Sequence, residues 1–155
     1  MDENSCAGES NVATEHLLTS KPENLRWGAF SSEFEPVLEV ESGDRVTIET
    51  ISGGPDQLPD GARENLLPDH EAFIASNKPI LPGHIMTGPV AVKGAEPGDV
   101  LEVRIIDVKL RQDWAWNMMM PLKGALPEDF PVRRVINIPL DRDSMVATLP
   151  WGVEL

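Results

Sequence analysis

The sequence predicts a mainly β fold, an antiparallel β-sandwich or barrel-like domain with one or two short helices. Three observations carry that prediction. Two Gly-Asp turns, Gly43-Asp44 and Gly98-Asp99, are each followed by a run that alternates apolar and polar residues, the period of a strand with one buried face. The apolar runs are short and are punctuated by 14 prolines and 12 glycines, the residues that end elements and form turns. Helix signals are confined to residues 62–67 and 69–76, with Asp69 as the expected N-cap of the second.

Taken in order, residues 1–14 are polar, small and without periodicity, and read as a disordered or loosely held lead-in. Residues 15–155 read as one β-rich domain. A first strand is expected at His16–Thr19 and a second within Asn24–Phe30. Phe34–Val40 and Arg45–Thr50 flank the Ser42-Gly43-Asp44 turn and read as a hairpin. The segment 51–82 is dense in turn signals (Gly53-Gly54-Pro55-Asp56, Pro59-Asp60-Gly61, Pro68-Asp69-His70). It is either a functional excursion or a variable surface one. Pro89–Val92, the turn Gly94–Asp99 and Val100–Val108 read as a second hairpin. In its return strand, Leu101, Val103 and Ile105 face one way and Glu102 and Arg104 the other. Strands are expected again at Val132–Leu140 and Met145–Leu149, around the turn Asp141–Ser144.

Charge excludes several partners. A net charge of −13 argues against nucleic acid, whose phosphates require a basic face, and against an anionic membrane surface. The single cysteine, Cys6, rules out an internal disulfide and a Cys-based zinc site. No apolar run is long enough to span a bilayer, and the acidic start, Met1-Asp2-Glu3-Asn4, has no apolar signal core. The location expected is the cytoplasm. The chain ends on apolar Trp151, Val153 and Leu155, which predicts a docked C-terminus or a chain cut short.

The candidate chemistry centres on Gly83–Asp99. His84 sits at a strand entrance between Gly83 and Gly88, so the backbone can turn closely around a polar site at the rim of the domain. An imidazole there suits metal ligation or proton transfer; the alternative is a loop histidine bonded to backbone. Carboxylates available to join it are Glu49, Asp56 and Asp60. One histidine with carboxylates suits a divalent cation, zinc foremost with calcium as the alternative. Trp114 and Trp116 share a face if their segment is extended. With Met118, Met119 and Met120 they fit a core or interface better than a substrate wall. Asn117 is the candidate to orient a small amide, with Trp116 beside it. There is no phosphate loop, dinucleotide fingerprint, zinc helix or nucleophile elbow.

At these residues the sequence resembles the acetamidase/formamidase family. The resemblance is carried by Ser42-Gly43-Asp44-Arg45-Val46-Thr47-Ile48-Glu49-Thr50 and by Thr87-Gly88-Pro89 through Gly94-Ala95-Glu96-Pro97-Gly98-Asp99 to Val103. Trp114-Ala115-Trp116-Asn117, Gly124–Pro131 and Ala147–Pro150 continue it. It covers His16 to the end, in order, and the Thr-Gly-Pro block is its most specific part. It implies a mainly β fold and hydrolysis of small non-peptide amides such as formamide and acetamide, with a divalent metal at the site. On the family's pattern, His84 and Glu49 are the residues carried over, with Asp56 or Gln57 as a further ligand. The resemblance implies that His84 and a carboxylate hold the metal and that Glu49 serves as base.

Family members are about twice as long, and the likeness is to their first half. The expectation is a split or truncated form, or a separate chain that supplies the rest. The expected partners are a small amide and either further copies of the chain in a homo-oligomer or a complementary C-terminal half. Two other readings stand beside this one. They are a non-catalytic β-sandwich fragment and a small-ligand-binding module with Trp114 and Trp116 as its platform.

Overall fold

The computed structural model describes residues 13–155. Cys6 and most of the expected lead-in lie outside that range. Thr14 is tied down, its N–H donating to Asp44 Oδ1 at 2.9 Å and its carbonyl accepting from Arg45 N–H at 2.9 Å.

The architecture is mainly β, with one α-helix and short sheets. The strands are β1 (Glu15–Leu18), β2 (Leu25–Trp27), β3 (Leu38–Val40), β4 (Arg45–Ile48), β5 (Ile85–Thr87), β6 (Val90–Val92), β7 (Trp114–Met119), β8 (Arg134–Asp141) and β9 (Val146–Ala147). Pairing is antiparallel in β2–β5 and in β7–β8–β9, and parallel in β1–β4 and β3–β6. No closed barrel forms among the described residues. No helix among them is long and apolar enough to cross a membrane.

Both expected hairpins are replaced by long-range pairings. β3 and β4 flank the Gly43-Asp44 turn but do not pair with each other. β3 runs beside β6, Val40 opposite Val92, while β4 runs beside β1, Leu18 opposite Ile48. The turn explains the parting. Asp44 accepts from the Glu41 N–H at 2.9 Å and from His16 Nε2 at 2.9 Å, so the carboxylate that closes the turn also ties β4 to the start of β1. In the second case β6 forms, but residues 100–108 form no strand and lie exposed.

The core lies under the first half of the chain. Leu25, Trp27, Ile51 and Phe73 pack together, with Leu67 and Ile85 against them. Trp27 and Phe73 meet with ring centroids 5.7 Å apart. The turn-rich excursion contributes Ile51 and Phe73 to this core and buries Leu58 and Ala62 as well, so it is a structural part of the domain. Its helix, α1 (Pro68–Ser76), is capped two positions earlier than the sequence predicts. Leu67 is the N-cap and Pro68 opens the first turn, where its missing N–H costs nothing. Asp69 falls inside that turn, favourably placed for the helix dipole. His70 and Phe73, three apart on α1, are the two buried residues of its inner face. Beyond residue 92, Ile138 is the sole buried apolar side chain among the described residues.

Candidate active site

Glu49 follows β4 directly, and the β1–β4 pairing fixes its position. Its N–H donates to the Leu18 carbonyl at 2.9 Å and its carbonyl accepts from Thr87 Oγ1 at 2.8 Å. The backbone at Glu49 is therefore locked between β1 and the Thr-Gly-Pro block. Its carboxylate is held as well. Oε2 accepts from the Ser20 N–H at 3.2 Å and lies 3.6 Å from Arg111 Nη2. No hydrogen bond to Oε1 occurs among the described residues, and the side chain is 31% exposed. One carboxylate oxygen is thus anchored while the group keeps access to water.

A partly buried network stands behind it. Ser20 is fully buried, and its hydroxyl donates to Asp69 Oδ2 while accepting from Arg111 Nη1 at 2.7 Å. Arg111 Nη2 reaches Asp69 Oδ2 at 3.0 Å, and Nη1 also donates to the Thr50 carbonyl at 3.3 Å. Burial pushes the Asp69 carboxyl up, but the Ser20 hydroxyl and Arg111 outweigh it and hold it below the usual carboxylate range. Arg111 thereby spans two carboxylates, Asp69 and Glu49, a use suited to its several donors in a fixed plane.

His84 lies just before β5. Its carbonyl accepts from the Gly28 N–H at 3.0 Å, and the residue is exposed. No hydrogen bond or ion pair joins its imidazole to Glu49 or Asp56 among the described residues. Asp56 is exposed and contributes its carbonyl to Arg133 Nη2 at 2.9 Å. Gln57 closes its own turn, Oε1 accepting from the Gly54 N–H at 2.9 Å. No three His, Cys, Asp or Glu side chains among the described residues are grouped to hold a metal ion. His84, Glu49 and Asp56 as they stand do not make up a zinc or calcium ligand set.

Trp116 and Asn117 are adjacent on β7 and so point to opposite faces. Trp116 is half-buried against the Gly53 backbone. A Cβ at Gly53 would come within 2.9 Å of its ring, and Gly53 has φ +100°, so only glycine fits there. Asn117 is exposed, opposite Ile136 of β8. The larger surface cleft, lined by Lys109, Asp113, Leu140 and Arg142 among others, contains none of the candidate residues.

Ser20, Asp69, Arg111 and His70 had no functional signal in the sequence. Ser20 lies 49 residues from Asp69 and 91 from Arg111, so no local pattern links them. His70 is buried, with Nε2 donating to the Gly53 carbonyl at 2.8 Å. Its Nδ1 is buried without a partner among the described residues. In the sequence it reads only as the third residue of a turn.

The acetamidase/formamidase family matches this chain over residues 14–133. That stretch holds every residue of the network and both Glu49 and His84. The chain belongs to the acetamidase/formamidase family. A Schizosaccharomyces pombe protein named "Putative formamidase" is 33% identical to it over 97 residues. The alignment takes in 59% of this chain and 22% of that protein, so the chain spans well under two thirds of the relative's length.

Proposed function

We propose that this chain carries part of the active site of a hydrolase acting on small linear non-peptide amides of the formamide and acetamide type. The observation that carries the proposal is the family match, which runs through Glu49 and His84. The name of the yeast relative points the same way. Amide hydrolysis needs a base that takes a proton from water and a donor that protonates the departing nitrogen. Glu49 is the base in this reading. Its anchored Oε2 and open Oε1 support the assignment, because a catalytic carboxylate must be both oriented and reachable. Arg111 and Ser20 are positioning residues that hold that carboxylate. His84, exposed at the entrance of β5, is the proton donor.

The test is ammonia release from formamide and acetamide by the protein purified from its native source with any bound subunits, with and without added Zn²⁺. Release is expected, with Glu49→Gln lowering kcat at least about a hundredfold. Wild-type turnover in Glu49→Gln would remove Glu49 from the chemistry. No release under any of these conditions would overturn the amidase reading. It would favour the non-catalytic fragment, a reading supported by the lack of any hydrogen bond or ion pair between His84 and Glu49 among the described residues.

A further inference from the structure

Residues 100–108 present an apolar, unpaired segment on the surface. Val100, Val103 and Ile105 are 93%, 73% and 81% exposed. No backbone–backbone hydrogen bond involves residues 100–109 among the described residues. Two ion pairs report its local geometry. Arg104 Nε meets Glu102 Oε1 at 2.5 Å, and Lys109 Nζ meets Asp107 Oδ2 at 3.3 Å. Both join residues two apart, which face each other on an extended chain and not on a helix. An extended segment with unpaired backbone groups is a template for another strand.

We infer that the strand it takes is the same segment of a second copy of this chain, paired antiparallel about a two-fold axis at Val103. The axis must fall at a residue, because only then do facing side chains lie on one side of the sheet. At Val103 it sets Glu102 of each copy opposite Arg104 of the other, twice. It also sets Leu101 opposite Ile105 and Val100 opposite Ile106. The neighbouring axes fail. At Glu102 or Arg104, like charges meet on the axis, which is unfavourable. At Ile105, Val103 meets Asp107 and Leu101 meets Lys109. Residues 100–109 are also locally neutral, with Glu102 and Asp107 against Arg104 and Lys109, so self-pairing avoids the repulsion that a net charge of −13 imposes elsewhere. Exposed ion pairs contribute little energy. The apolar face drives association, and the charges select register and partner.

Sedimentation of the full chain over a range of concentrations tests this. Wild type is expected to self-associate as a dimer. Glu102→Arg alone, or Arg104→Glu alone, puts like charges opposite each other twice and is expected to weaken the dimer at least about tenfold. The double swap restores it. An equimolar mixture of the two single variants forms a mixed dimer tighter than either variant alone. These positions are exposed, so the variants keep the wild-type circular dichroism. A monomer at all concentrations would overturn the inference. So would a dimer indifferent to the charge changes, or a swap that fails to rescue. Capture of the segment by an unlike chain, untouched by the swap, would equally count against a second copy.

Discussion

Glu41-Ser42-Gly43-Asp44 and Glu96-Pro97-Gly98-Asp99 are built alike, yet the chain that follows them has opposite fates. In each, the fourth residue's N–H donates to the first residue's carbonyl, at 3.2 and 3.1 Å, and the aspartate Oδ2 accepts from the first residue's N–H at 2.9 Å. Both glycines have positive φ, +95° and +107°. After Asp44 the alternating run becomes β4 and pairs with β1. After Asp99 an equally regular run pairs with nothing among the described residues. The difference lies in what the aspartate reaches beyond its own turn. Asp44 also binds Thr14 and His16, whereas Asp99 has no such partner on a second strand among the described residues. Local chemistry makes the turn and the alternation; a strand needs a neighbour.

The comparison breaks hardest in the core beneath the first region. Phe73→Ala should cost about 4 kcal/mol in urea unfolding, since the ring is buried against Trp27. A cost below about 1 kcal/mol would show that the core is not what supports these pairings. Leu18→Ala, buried on β1 where it faces β4, should cost about 3 kcal/mol. Arg111→Ala should cost about 2 kcal/mol, because it strips donors from the buried Ser20 hydroxyl and the Asp69 carboxylate.

A pH effect separates the two turns more finely. The Glu41 N–H, then His16 and the Thr14 N–H, hold the Asp44 carboxyl down to about 2 from an ordinary 3.8. Its folded pKa is depressed, so its contribution is present above the ordinary value and is lost as pH falls toward about 2. Melting followed between those two values should show this loss in wild type and not in Asp44→Asn. An identical acid profile in both would disconnect Asp44 from the β1–β4 pairing. The smallest effect belongs to the unpaired run. Val103→Ala, studied in dilute solution, should change stability by less than about 0.5 kcal/mol, and a larger loss would mean that the segment is buried in the folded chain.

Much of the fold was legible. The mainly β class, the turns at 41–44 and 141–144, the helix at 68–76 and the strands near 16, 25, 90 and 134 all follow from short-range rules. Strand partners were not legible, because adjacency in sequence favours hairpins and here Asp44 and β6 draw β3 and β4 apart. For the candidate site, His84 stood out beside the specific Thr-Gly-Pro block and Glu49 after a more generic strand pattern. The groups that hold Glu49 were not. Ser20 and Arg111 carry no periodic or motif signal and meet only after the chain has folded back on itself.

Amide hydrogen exchange, read at two protein concentrations, tests the contrast between the two runs most directly. The account predicts that peptides covering residues 45–48 are protected at both concentrations. Peptides covering 100–108 should exchange freely in dilute protein and gain protection as concentration rises. Equal protection of the two runs in dilute protein would contradict it, because residues 100–108 would then have found a strand partner within the single chain.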